Sequence, residues 1–209
     1  MVIRYIDHSS FAIETGDSTL LFDWVGKGGI ERSGNLYVFS SHAHSDHFNK
    51  AVFSLDAERY ILSYDIEGSV PDRARDKAII VHPGDRLGPL SVFGSTDQGV
   101  SFLLEIESRR VLFMGDNAAW NWDEDEEDLE NVRMYRQILS SIGTVDIAFV
   151  PYDPRLGKHS MDSLLICSDI CNPGLLVPMH MWGKYEIIDE AASVFGSRLM
   201  DIRKETMEI

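Results

Sequence analysis

Leu36-Tyr37-Val38-Phe39, followed after Ser40-Ser41 by His42-Ala43-His44-Ser45-Asp46-His47, is the stretch that decides how this chain is read. An apolar run of that length, bounded by polar turn residues, reads as a buried strand. The three imidazoles and one carboxylate that follow therefore fall in a loop at a strand end, where several side chains can reach one point. Neutral imidazole and carboxylate are the donor types that hold zinc, iron or manganese. A polar loop that is merely His-rich is the competing reading, and the rest of the chain weighs against it.

Asp23 closes the run Thr19-Leu20-Leu21-Phe22. Asp116 closes Arg110-Val111-Leu112-Phe113-Met114-Gly115, and His180 closes Gly174-Leu175-Leu176-Val177-Pro178-Met179. Each is a metal-competent residue at the carboxyl end of an apolar strand, so the set can converge on one sheet edge. Taken singly, an Asp after a strand is usually a turn residue or a helix cap. A lone His is usually a satisfied core or surface residue. In the company of the His cluster the functional reading is the stronger one.

The order Asp23, His42-x-His44-x-Asp46-His47, Gly115-Asp116, His180 resembles the metallo-β-lactamase-fold hydrolase superfamily. The opening Tyr5-Ile6-Asp7-His8-Ser9-Ser10-Phe11-Ala12-Ile13-Glu14 is similar to the first hairpin of the branch that contains the L-ascorbate-6-phosphate lactonase. The resemblance implies one or two divalent metal ions, zinc first, with manganese or iron as alternatives. By it His42 and His44 would bind one metal, Asp46, His47 and His180 a second, and Asp116 would bridge them. Asp23 would orient a ligand by hydrogen bonding, and Asp46 and Asp23 are the candidates for catalytic roles. The implied reaction is attack by a metal-bound hydroxide on a carbonyl or phosphoryl centre.

The chain departs from the family pattern at one place. The family has another His between the first cluster and Gly115-Asp116. The one His in that interval, His82, lies in Val81-His82-Pro83-Gly84-Asp85, which reads as a turn before a strand. The matching position falls in Gly94-Ser95-Thr96-Asp97-Gln98-Gly99, where Asp97 stands for the imidazole. Either Asp97 is a ligand, giving a site with more oxygen character that suits manganese or iron, or the first site is weakened and Asp97 only caps a turn.

At 209 residues, with 44% hydrophobic and 10% aromatic residues, the chain is expected to form a single metallo-β-lactamase-like domain over 1–209. No run approaches the ~18 apolar residues that span a membrane, and the amino terminus lacks the pattern of a signal peptide. Cys167 and Cys171, one helical turn apart, read as free thiols in a reducing cytosol, so a cytoplasmic location is expected. A net charge of −15, from 19 basic and 34 acidic residues, argues against nucleic acid as a partner. Much of the excess lies in Asp123-Glu124-Asp125-Glu126-Glu127-Asp128, read as the solvated first turn of a helix. Leu129, Val132, Tyr135, Leu139 and Ile142 follow at helical spacing, and Gly143 is the stop.

Strands are expected at 2–6, 11–14, 19–22, 36–40, 78–81, 90–93 and 100–106. Thereafter strands at 110–114, 146–150, 175–177 and 199–202 alternate with helices at 126–142, 161–171 and 186–195. This is an α/β chain with two sheets, helices outside them, and metal at strand ends. The resemblance makes it a four-layer αββα sandwich.

Pro151-Tyr152-Asp153-Pro154-Arg155 follows the strand 146–150. Arg155 is the candidate for gripping an anionic substrate group, since guanidinium binds carboxylate or phosphate bidentately. Its competing role is an ion pair with Asp153. His159 either lines the pocket or simply precedes a helix, and Trp120 and Trp122 either wall the pocket or pack on the sheet. Two functions stand: a metal-dependent hydrolase of a small, anionic ester, lactone or phosphoester, and a non-catalytic or regulatory metal-binding descendant with an impaired first site. A nuclease is weaker, because 209 residues leave no room for a nucleic-acid clamp. The expected partner is a small molecule, with no nucleic acid and no membrane; a homo-oligomer is compatible with the sequence.

Overall fold

The structure, a computed structural model, describes residues 1–209. The chain divides into two compact units, Met1–His82 with Lys204–Ile209, and Pro83–Arg203. Each is built on one sheet.

The first unit holds β1 (Val2–Asp7), β2 (Ser10–Glu14), β3 (Ser18–Phe22), β4 (Asn35–Ser40), β5 (Arg59–Ser63), β6 (Ala78–Val81) and β13 (Thr206–Glu208). Their order in the sheet is β13-β1-β2-β3-β4-β5-β6. Strand pairs from β3 to β6 are parallel and the rest antiparallel. The period-2 alternation of a strand puts Ala12, Leu21, Leu36, Val38, Tyr60 and Leu62 into one buried cluster with Phe48, Val52, Phe53 and Ile66 from the connections. The alternate residues Phe11, Ile13, Phe22 and Phe39 are buried too. A strand buried on both faces reads as a continuous apolar run, which is why Leu36–Phe39 stood out. Gly34 fixes where β4 begins. A Cβ there would lie 1.8 Å from the Asp17 carbonyl oxygen, and Asn35 N donates to that same oxygen at 2.9 Å.

The second unit holds β7 (Arg86–Leu87), β8 (Leu90–Gly94), β9 (Val100–Ile106), β10 (Arg109–Phe113), β11 (Ile147–Pro151) and β12 (Leu175–Met179), ordered β12-β11-β10-β9-β8-β7. β10, β11 and β12 run parallel. The helices are α1 (Glu126–Ile142), α2 (Asp162–Cys171) and α3 (Ile188–Phe195). α1 begins as the acidic run suggested: the Asp125 side chain accepts from Asp128 N, and Glu126, Glu127 and Asp128 occupy the first turn. It ends at Gly143, with φ at 74°. Cys167 and Cys171 are free and buried in α2. No helix is long and apolar enough to cross a membrane.

The differences from expectation are local, and the short edge strands β7 and β13 are among them, having no counterpart in the sequence reading. The segment 199–202 is not a strand: Leu199 makes only an isolated bridge with Leu176, and Ile202–Lys204 turns into a 3-10 helix. β5 was not expected, because its apolar core is only Tyr60-Ile61-Leu62. Register with β4 and β6 on its two sides makes it a strand.

Candidate functional site

In the first unit the parallel register Phe22↔Phe39 brings the carboxyl ends of β3 and β4 to the same sheet edge. Asp23 follows β3 directly and donates its amide to Phe39 O at 2.9 Å. Its side chain is fully buried. Oδ1 accepts from Ser41 N at 2.7 Å, and Oδ2 accepts from Ser41 Oγ at 2.7 Å. Oδ2 also lies 2.7 Å from His47 Nδ1. An ionised carboxylate offers only acceptors, so His47 Nδ1 carries the proton and Nε2 carries the lone pair.

The same logic runs through Ser41. Its single hydroxyl proton goes to Asp23, so Ser41 Oγ must accept from His42 Nδ1, 2.9 Å away. The lone pair of His42 is then on Nε2, and His44 Nδ1 is 3.1 Å from it. Two nitrogens about 2.0–2.1 Å from a tetrahedral ion are about 3.3 Å apart. The donor chemistry and spacing of His42 and His44 therefore fit a divalent metal. Backbone contacts hold the loop: His47 N and Phe48 N donate to His44 O, and Asp65 Oδ2 accepts from Ala43 N at 2.8 Å.

Beyond these lies a residue that sequence reasoning missed. His8 Nε2 is 3.4 Å from Asp46 Oδ2, and His47 Nε2 is 3.9 Å from the same oxygen. Ligand atoms of His8, Asp46 and His47 all lie within 4.8 Å of one another. His8 follows β1 as Asp23 follows β3, so the strand-end rule that singled out Asp23 would have found it.

In the second unit the parallel strands again deliver polar residues to one edge. Asp116 follows β10, Asp153 follows β11, and His180 follows β12. His180 Nδ1 is 3.0 Å from Asp153 Oδ2, and His180 Nε2 is 3.5 Å from Asp116 Oδ1. Asp153 plays towards His180 the part that Asp23 plays towards His47: it fixes the tautomer and turns Nε2 towards the other donor. Burial opposes ionisation of Asp153, but hydrogen bonds from His180 and Arg155 outweigh it and hold its carboxyl well below the usual range.

Arg155 meets Asp153 through Nε, 3.0 and 2.9 Å from the two carboxylate oxygens, and through Nη2. Its guanidinium also stands over the rings of Trp182, 4.3 Å from the centroid, and Trp122, at 5.6 Å. Trp120 stacks on Trp122, and its Nε1 donates to Asp116 O at 2.9 Å. The two tryptophans thus differ: Trp120 is half-buried against the site residues, while Trp122 is exposed.

Two expected site residues fall elsewhere. Asp97 is exposed and joins no group of ligand atoms. Its backbone amide donates to Ser95 Oγ, and it is Thr96 that turns inward, exchanging hydrogen bonds with the Ala118 backbone. The loop geometry is that of a turn, and the structure brings Asp97 to none of the ligand atoms described above. His159 is bound by Asp162 at 2.8 Å and Glu124 at 2.9 Å, which ties the start of α2 to the loop before α1. The hydrogen bond to Asp162, and then that to Glu124, raise its pKa.

A UPF0173 metal-dependent hydrolase of Symbiobacterium thermophilum is 24% identical, over 96% of this chain and 92% of its own. A novel metallo hydrolase of the hyperthermophilic archaeon Ignicoccus hospitalis superposes with a TM-score of 0.67 at 15% identity, over 100% of this chain and 98% of its own. CmlA, a diiron β-hydroxylase of Streptomyces venezuelae, does so with a TM-score of 0.57 at 15% identity, over 86% of this chain and 44% of its own. These likenesses establish the fold, α/β with two sheets and helices. Residues 2–180 match the family described as Beta-lactamase superfamily domain, and the chain belongs to it.

Proposed function

We propose that this protein is a metal-dependent hydrolase of a small molecule. The observation that carries the reading is the chain of hydrogen bonds His42–Ser41–Asp23–His47, which fixes both imidazoles with Nε2 as the donor. A loop that was His-rich by chance would have no reason to bury such a network at a strand end. In the first unit the proposed ligands are His42, His44, Asp46 and His47; in the second they are Asp116 and His180. Imidazole and carboxylate suit zinc, with manganese or iron as alternatives. A divalent ion in such surroundings supplies Lewis acidity and makes water ionisable near neutral pH. Asp23 and Asp153 hold the tautomers of His47 and His180, and Asp46 is a carboxylate able to take up or orient a proton.

The proposed substrate is a small anionic ester, lactone or phosphoester. The resemblance of Tyr5–Glu14 to the lactonase branch is what brings a lactone into the set. Arg155 supports the anionic character: its guanidinium is about half exposed, and Asp153, Trp182 and Trp122 limit its freedom. An arginine ordered before binding loses less rotamer entropy when an anion arrives.

One observation favours a second reading, a non-catalytic metal-binding descendant. With Asp97 turned outward, the His42/His44 pair lacks the third side chain that the family has there. The two readings are separated by assaying metal-free and metal-restored protein against carboxyl esters, lactones and phosphoesters. Chelator-sensitive hydrolysis restored by zinc, manganese or iron supports the enzyme. Metal uptake without hydrolysis of any class would sink it and favour the descendant.

A further inference from the structure

The β1–β2 hairpin carries two irregularities at one place. Its pairing slips between Tyr5 and Asp7, and His8 adopts a left-handed backbone with φ at 43°. Bulges bend a strand and re-aim a side chain, and they gather beside active sites. A left-handed residue other than glycine is strained and persists only where its surroundings hold it. Here they do: Ser9 and Ser10 are fully buried, and Ser10 Oγ donates to Asp23 O at 2.6 Å.

The outcome is the aim of one side chain. His8, 12% exposed, sets Nε2 3.4 Å from Asp46 Oδ2. His47 Nε2 is 3.9 Å from that oxygen, and the His8 and His47 rings meet edge to face with centroids 6.1 Å apart. A hydrogen bond between nitrogen and carboxylate is normally about 2.7–3.2 Å long. Donors about 2.0–2.2 Å from a common ion stand about 3–4.2 Å from one another, depending on the angle between them. The 3.4 and 3.9 Å separations fall in the second range.

We propose that His8 Nε2 is a metal donor that joins Asp46 and His47. The proposal rests on the metal-dependent reading above. A second imidazole beside Asp46 shifts that site from oxygen towards nitrogen character, which favours zinc or iron over manganese. It also gives this part of the first unit one imidazole more than the resemblance implies.

The test uses the full chain, stripped with chelator and titrated with Zn(II) and Co(II). Wild type is compared with His8→Asn, His8→Ala and, as a control, His47→Ala. Asn visits the left-handed region routinely, so His8→Asn retains the hairpin. Both His8 variants are expected to weaken one class of site by about tenfold or more in competition with a chromophoric chelator, at least what loss of an orienting partner costs. The visible bands of bound Co(II) should shift with it, and the same class should be lost in His47→Ala. Unchanged affinity and spectrum in both His8 variants would overturn the proposal. So would a lower melting temperature of the metal-free variants with unchanged metal affinity, which would make His8 an ion-pair partner of Asp46 only. Failure of wild type itself to take up either ion would bring down the metal-dependent reading, and this proposal with it.

Discussion

Asp23→Asn removes one charge and one acceptor from the centre of the first unit's network. The wild-type carboxylate is fully buried and accepts from Ser41 N, Ser41 Oγ and His47 Nδ1, each at 2.7 Å. An amide has one oxygen and two N–H groups, so it cannot accept at both ends. If its oxygen faces Ser41 N, its NH2 faces His47 Nδ1, and the imidazole must place its proton on Nε2. That proton occupies the lone pair needed for a metal. Loss of an orienting partner of this kind typically weakens metal binding about 10–100-fold. The stability cost for Asn is about 1–3 kcal/mol, the penalty for a mismatched buried polar group. Asp23→Ala leaves all three donors unanswered and should cost about 3–5 kcal/mol, as breaking a buried pair does. Urea unfolding in the presence of chelator measures the stability term alone, and chelator competition measures the metal term. If Asp23→Asn binds metal within about twofold of wild type, Asp23 does not set the tautomer of His47, and the reasoning fails.

Metal at Asp46/His47 should survive dilution into chelator longer than metal at His42/His44; faster loss from Asp46/His47, followed by anomalous scattering, contradicts that order. Asp97→Ala should leave metal content and melting temperature unchanged, and a drop in metal content would return Asp97 to the ligand set. Arg155→Ala should weaken carboxylate- or phosphate-bearing ligands by about 1.5–3 kcal/mol while sparing neutral ones; equal losses, read by calorimetry, would leave Arg155 only as the partner of Asp153. The His159 clasp should be pH-dependent in one direction. Its folded pKa is raised, so its contribution is full below the unfolded value of about 6.5 and is lost as pH rises through the folded value. Glu124, held low first by Lys158 and then by His159, contributes above its unfolded value and loses that contribution as pH falls through its folded value. The stability gap between wild type and His159→Gln should therefore be larger at pH 6 than at pH 9, and a flat gap refutes the clasp.

Much of this was legible because strand ends and metal donors leave separate marks in a sequence. The His42–His47 segment is dense enough to stand out alone, and Asp23, Asp116 and His180 gain meaning from the apolar runs before them. What was not legible depends on side-chain direction. In Ser95-Thr96-Asp97 the spacing gives no sign of which residue turns inward, and the structure turns Thr96. Asp153 was visible only as a partner for Arg155. Its hold on His180 needs β11 and β12 side by side, a pairing between segments more than twenty residues apart. β5 was missed for the same reason: three apolar residues give little periodicity, and its neighbours in the sheet decide it.

Backbone sign links the two units' site residues and shows why His8 was overlooked. Nine residues other than glycine have positive φ, and among them His8, Asp23 and His180 each come directly after a strand, at 43°, 45° and 66°. Several of the others are ordinary connections, such as Glu107 and Ser108 in the β9–β10 turn and Asn172 at the end of α2. A left-handed residue at that point bends the chain away from the strand direction at once, and the side chain stays at the sheet edge. Asp and His accept this conformation more readily than most residues, and they are also metal donors. The requirement of the turn and the requirement of the chemistry therefore select the same residue types, and sequence composition cannot separate them. The separation comes from what the side chain meets. Asp23 meets Ser41 and His47, His180 meets Asp153 and Asp116, and His8 meets Asp46. A turn residue chosen for its backbone alone would face solvent; these three are turned inward.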